Sequence, residues 1–123
     1  MALFESCAGC DYSTTEQKTG AHWIDGKPIY RKVIDWGDMP SNTTTVSKPH
    51  GITNMLDVVK IFGIYKTSLQ PSNPQYGCIP IVNPTPEYQT GVWINRTDLT
   101  LRSGDNRSNH RAWIVIEYTK TTD

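Results

Sequence analysis

Short apolar runs separated by Gly, Pro and Asn make up the chain from about residue 20 onward. The first turn signal, Asp25-Gly26, lies between two runs rich in β-branched residues and predicts a β-hairpin. No window of 11 or more residues carries an apolar stripe with a 3.6-residue period, and no internal repeat is present. The pattern therefore predicts an all-β fold, an antiparallel β-sandwich of jelly-roll-like type.

The same turn-forming residues, Gly, Pro and Asn, predict where the individual elements begin and end. A Thr-rich edge strand closed by Pro49 is expected first, and a helical turn is expected over 52–59. A proline-rich segment then permits only a short edge strand, around Ile79–Val82. The remaining strands are expected at 58–67, 91–97, 98–103 and 110–120.

Two predicted strands, 57–66 and 112–118, are apolar on both faces. Such a strand is either central in its sheet or faces a second subunit. Trp93 and Trp113 lie among Val and Ile in mid-strand, so both are predicted to lie in the core. Trp36 ends a strand between two aspartates, and we expect its ring to be half exposed as a contact for a ligand or a second subunit.

The first 15 residues are small and polar, without periodicity. We interpret 1–15 as an N-terminal arm that reaches about 50 Å when fully extended, and 16–123 as the β-sandwich domain. Four residues of this arm are the candidates for docking on a partner: Leu3, Phe4, Cys7 and Cys10.

The charge balance, 12 basic and 12 acidic residues in a 123-residue chain, gives a net charge of zero. A protein that tracks a nucleic-acid backbone has a basic excess, so no nucleic-acid partner is expected. No apolar run is long enough to span a bilayer, and the N-terminus lacks the features of a secretory signal. We therefore expect synthesis and folding in a cytoplasm, without membrane insertion.

Chemistry-bearing motifs are few. Cys7 and Cys10 have the spacing of half a zinc site or of a redox pair, but no second pair of ligands is present, and the other candidate, Cys78, is distant in sequence. We interpret them as reduced thiols. No nucleophile elbow, zinc-protease motif or phosphate loop accompanies the three histidines. No enzymatic activity, metal or cofactor is expected.

The most polar segment is 102–111, which joins two predicted strands and is expected to be a hairpin tip. Its donors suit anionic or hydroxyl-rich ligands such as glycans, and a solvated turn is the other interpretation. Trp36 is one candidate contact residue. The candidates within this segment are Arg102, Asp105, Asn106, Arg107, His110 and Arg111.

Two segments resemble a module of bacteriophage virion proteins. They are Tyr12–Gln17 (YSTTEQ) followed by Trp23–Lys32 (WIDGKPIYRK), and the ending Ile116–Thr121 (IEYTKT). The combination resembles the start and end of C-terminal domains in phage tail-fibre, collar and head-fibre proteins. The resemblance covers about a quarter of the chain.

The resemblance implies a structural protein of the virion, without catalytic residues. Such modules form oligomeric appendages, and a homotrimer is the form expected here. Because the usual fibrous region does not precede the module, we expect a stand-alone host-attachment or capsid-decoration protein. Its arm would dock on a capsid, collar or tail protein, and its β-domain would face outward. The alternative is a carbohydrate-binding adhesin module that recognises host surface glycans.

Overall fold

A computed structural model describes residues 11–41, 44–67, 72–85 and 88–123. These residues form eight strands and, within the described ranges, no α-helix. No described helix is long and apolar enough to cross a membrane. The strands are β1 (Gln17–His22), β2 (Pro28–Asp38), β3 (Thr44–Pro49), β4 (Met55–Thr67), β5 (Tyr76–Ile79), β6 (Thr90–Ile94), β7 (Asp98–Ser103) and β8 (His110–Lys120).

The predicted all-β sandwich is confirmed. One antiparallel sheet has five strands in the order β1-β2-β8-β4-β5, and the other has three in the order β3-β7-β6. Successive strands β2, β3 and β4 therefore lie in alternate sheets, as in a jelly roll. The two-sided strands β4 and β8 are interior strands of the five-stranded sheet, and β3 is the edge strand expected before Pro49.

The predicted hairpin at Asp25-Gly26 is confirmed. Strands β1 and β2 pair antiparallel with His22 opposite Pro28. The amide of Gly26 donates to the Trp23 carbonyl, and the Trp23 amide donates to Lys27. Gly26 has a φ of 87°, a conformation that favours glycine, so the residue type fits the turn.

The helical turn expected over 52–59 is wrong. Met55 begins a 13-residue strand instead, and Asn54 precedes it with a φ of 56°. The β-branched run that follows continues the extended conformation, and pairing with β8 and β5 satisfies its backbone. The short local pattern could not reveal this pairing, because it does not extend to either partner strand, and β8 lies more than 40 residues further along the chain.

The chain divides into two compact units. The first comprises the described parts of Met1–Ile34, Ile52–Ile61 and Val115–Asp123. Its buried side chains include Ile29, Met55, Ile116 and Tyr118. Its described N-terminal residues lie along β2, since Ser13 accepts a hydrogen bond from the Val33 amide.

The second unit comprises Asp35–Gly51 and Phe62–Ile114, and it contains the whole three-stranded sheet. Its core holds Ile79, Leu99, Leu101 and Ile114, all with 0% exposure. Gly63 is required here because a Cβ would lie 2.6 Å from Cδ1 of Ile114. A larger residue on β4 would push into this core.

Candidate functional site

The polar segment 102–111 does not form a hairpin tip, so that expectation is wrong. Strand β7 ends at Ser103 in the three-stranded sheet, and β8 begins at His110 in the five-stranded sheet. The segment is a crossover between sheets. Sequence distance alone cannot distinguish the two cases, because a hairpin and a crossover of this length both read as a polar loop between strands.

Arg107 is the side chain that fixes this crossover. Its Nε donates to Oγ1 of Thr90 at 3.0 Å, and its guanidinium also donates to the Tyr88 carbonyl at 2.8 Å. Asn106 accepts hydrogen bonds from the amide and hydroxyl of Ser108. Asp105 accepts from the Asn106 amide. These three predicted contact residues therefore form hydrogen bonds within the protein, Arg107 to the start of β6 and Asp105 and Asn106 inside the crossover.

His110 lies beneath the crossover and is buried, with 8% exposure. Its ring stacks on Tyr65 with the centroids 5.5 Å apart, and Nδ1 lies 2.8 Å from Oδ1 of Asn109. Burial, followed by the positive charge of Arg107, lowers the pKa of His110 below 6.5. The imidazole is thus a packed core group rather than an outward ligand contact.

Arg111 forms a surface ion pair with Asp35 at 2.8 Å, and Arg102 is exposed on β7. Arg102 thus lies in the three-stranded sheet and Arg111 in the five-stranded sheet. The segment does not present its three arginines as one cluster, although Arg102, Asn106 and Arg111 all reach solvent.

The prediction that Trp36 is a half-exposed contact residue is wrong. Trp36 has only 3% exposure, and its Nε1 is buried without a hydrogen-bond partner among the described residues. The ammonium of Lys48 lies 4.5 Å from the ring centroid and donates to the Trp36 carbonyl at 2.8 Å. Lys48 caps the ring from the edge strand β3, which the sequence pattern gave no means to foresee.

The prediction for Trp93 is wrong in the opposite direction. Trp93 lies on β6, an edge strand of the three-stranded sheet, and is 48% exposed. Trp113 is half-buried, with the Arg111 guanidinium 5.5 Å from its ring centroid. The flanking Val and Ile residues suggested burial for both rings. Local sequence does not tell which face of an edge strand is covered.

The two segments that carry the phage resemblance meet in the first unit. We call the side chains that join them the signature cluster: Glu16, Tyr30, Arg31, Glu117, Tyr118 and Lys120. Glu16 accepts hydrogen bonds from the Tyr118 hydroxyl and, at 2.8 Å, from the Lys120 ammonium. Arg31 pairs with Glu117 at 3.1 Å. Residues from both ends of the chain thus contact each other in two separate groups, Glu16 with Tyr118 and Lys120, and Arg31 with Glu117.

Aromatic stacking completes the signature cluster. The rings of Tyr30 and Tyr118 stack with centroids 6.0 Å apart, and the Lys120 ammonium lies 5.3 Å from the Tyr30 centroid. The hydrogen bond from the Tyr30 hydroxyl to Asp123 raises the pKa of Tyr30 to about 12. Burial and the hydrogen bond to Glu16 raise the pKa of Tyr118 as well. Both phenols stay neutral donors at neutral pH.

One of the three cysteines, Cys78, lies within the described residues. Leu3, Phe4, Cys7 and Cys10 lie outside the described residues, and Cys78 is an exposed free thiol. Within the described ranges, no three His, Cys, Asp or Glu side chains are grouped so that they could hold a metal ion. His50 is buried, with Nε2 lying 2.9 Å from the Asn95 carbonyl.

No protein-family model matches the chain, and no curated protein or solved structure is significantly similar to it.

Proposed function

We propose that the chain is a structural protein of a bacteriophage virion. It would dock through its N-terminal arm on a capsid, collar or tail protein and present its β-domain outward. The observation that carries the proposal is the signature cluster. Segments that resemble the two ends of phage appendage modules contact each other through the side chains of this cluster.

The chemistry of this cluster supports a structural role for the signature. Its polar groups are paired with one another: Glu16 with Lys120 and Tyr118, and Arg31 with Glu117. Lys120 is a buried lysine, which is costly unless it is paired. These pairs would hold β2, and the residue before β1, against β8, so a phage module with these residues would gain a defined fold.

The outer face of the five-stranded sheet supports a homo-oligomer, which we propose to be a trimer. Gly63 on β4 faces the core residues Ile114 and Ile79. The neighbouring Ile64 and Trp113 therefore lie on the opposite face of the sheet. Ile64 is 39% exposed and Trp113 is half-buried, so apolar surface remains that a second subunit could cover.

The proposal is tested on particles. The culture that carries the gene is induced or infected, particles are purified on a density gradient, and their proteins are identified by mass spectrometry. We expect the chain in the particle fraction at a constant copy number relative to the capsid protein. Particles that lack it, while the free protein accumulates in the lysate, would contradict the proposal.

The arm is tested in the same system. A chain lacking residues 1–10 retains all the described strands. We expect it to fold, because no described strand is removed, and to be lost from the particles. Light scattering on both proteins separates assembly from docking: the trimer is expected to persist without these residues. A truncated chain that still enters the particles would contradict docking by the arm.

A further inference from the structure

The outer face of the three-stranded sheet carries one exposed indole on a polar surface. Trp93 on β6 is opposite Thr100 on β7, and Thr100 is opposite Ser47 on β3. The adjacent outward row places Gly91 opposite Arg102, and Arg102 opposite Thr45. The buried Leu99 and Leu101 alternate with these positions, so Trp93 and Arg102 share the outward face.

The indole of Trp93 lies back along its own strand. A Cβ built on Gly91 would be 3.5 Å from Cζ3 and 3.8 Å from Cε3 of Trp93, which is van der Waals contact. The six-membered ring is thus supported by the main chain at a position that has no side chain. With 48% of the residue exposed, the rest of the ring remains open to solvent. The ring therefore lies as a platform over the space that a side chain at position 91 would occupy.

The surroundings of this platform are hydroxyls and a charge. Thr45, Ser47 and Arg102 are exposed, and the hydroxyls of Ser47 and Thr100 are 2.7 Å apart. A stable protein interface needs a wider apolar centre, with charged residues confined to its rim. A sugar ring needs the opposite mixture, because it has an apolar C–H face for an indole and hydroxyls around its edge for polar side chains.

We propose that this face, formed by Trp93 with Gly91, Arg102, Thr45 and Ser47, is a carbohydrate-binding site. A pyranose stacks on the open part of the Trp93 ring. Arg102 donates hydrogen bonds to its hydroxyl or carboxylate oxygens, and the hydroxyls of Thr45 and Ser47 contact a second sugar unit. Adjacent strands are about 4.8 Å apart, so the three strands accommodate about two sugar units. The site goes beyond the virion role and does not depend on it.

The experiment is an array of bacterial surface polysaccharides and their oligosaccharides, probed with the purified full-length chain. Hits are then measured by isothermal titration calorimetry, whose signal does not depend on Trp93. We expect Trp93→Ala to weaken binding at least tenfold, as loss of an aromatic stacking platform does for other ring ligands. Trp93→Phe should retain part of the affinity, and Arg102→Ala should weaken binding by a smaller factor.

Two further variants distinguish the position of the Trp93 ring from the loss of any exposed aromatic side chain. Gly91→Val keeps the indole but crowds its support, so it should weaken binding while the protein stays folded by circular dichroism. Tyr76→Ala removes an aromatic of 63% exposure from the other sheet and should leave binding unchanged. A flat array with folded protein, or equal binding by Trp93→Ala, overturns the carbohydrate site. Neither result bears on the presence of the chain in virions, which the particle test decides separately.

Discussion

The side chains of Glu16 and Lys120, 104 positions apart in the sequence, form an ion pair of 2.8 Å. The same carboxylate accepts a hydrogen bond from Tyr118, whose ring has 0% exposure. Glu16 therefore neutralises a buried ammonium and satisfies a buried hydroxyl at once. Glu16, which immediately precedes β1, thereby joins the start of β1 to the end of β8.

Glu16→Ala is expected to lower the free energy of unfolding by about 2–4 kcal/mol, because it leaves the Lys120 charge and the Tyr118 hydroxyl buried without their partner. Urea unfolding followed by circular dichroism measures the change. The matched control is Asp35→Ala, which breaks the exposed ion pair with Arg111 and should cost less than about 1 kcal/mol. Equal losses for the two variants would contradict the role of Glu16.

Trp36 gives a second prediction about stability. Trp36→Ala should cost about 3–5 kcal/mol, because it empties a buried site of a large ring. Trp36→Phe should cost under about 1.5 kcal/mol, because it retains most of the apolar volume and removes an Nε1 donor that has no partner among the described residues. The midpoint of urea unfolding distinguishes the two. A Phe variant as unstable as the Ala variant would contradict this account, because the retained apolar volume would then contribute nothing.

Gly63 gives a prediction about core space. In Gly63→Ala the new Cβ would lie 2.6 Å from Cδ1 of Ile114 and 3.1 Å from the Trp113 carbonyl. We expect a loss of about 1–3 kcal/mol from this overpacking, measured by urea unfolding. Gly91→Ala is the control, because its Cβ would make only ordinary contact with Trp93. If Gly63→Ala were as stable as the natural chain, the close packing of β4 on β8 would be wrong.

The burial of His110 predicts a dependence on pH. Its pKa is lowered in the folded protein, so the fold favours the neutral imidazole. This contribution to stability is complete above about pH 6.5 and is lost as the pH falls through the lower folded pKa. A proton NMR titration should place the His110 midpoint below 6.5. A midpoint at or above 6.5 would contradict the buried, stacked position against Tyr65.

The stability of the His110→Gln variant checks the same linkage. The glutamine side chain at this position does not titrate. The urea concentration at the midpoint of unfolding should therefore fall less for this variant than for the natural chain between pH 7 and pH 5. An equal fall would assign the acid sensitivity to other groups.

The strands were largely predictable from sequence, whereas their exposed faces were not. Gly, Pro and Asn interrupt the chain at most strand ends, and Asp25-Gly26 defines its turn by local geometry alone. Trp36 and Trp93 were assigned to the wrong environments because their burial depends on strand pairing and on Lys48, which contacts Trp36 from another strand. The crossover at 104–109 depends on the same nonlocal pairing.

The signature cluster shows that segments can be identified from sequence although the contacts between them cannot. The resemblance named its segments from sequence, but nothing in their local pattern indicated that Glu16 would meet Lys120. Ion pairs between the ends of a chain are a property of the sheet order β1-β2-β8. The sequence pattern identifies the pieces, and the long-range pairing decides which of them touch.

The contact of Lys48 with Trp36 has a consequence for how copies of the chain can pack side by side. Lys48 lies on the edge strand β3, and its ammonium is committed to Trp36, while Pro49 ends the strand without an amide donor. A further strand added at this edge would meet a missing hydrogen bond and a charge that is costly to cover. This edge therefore disfavours the pairing of β3 with a strand of a neighbouring copy to form one continuous sheet, even at high local concentration.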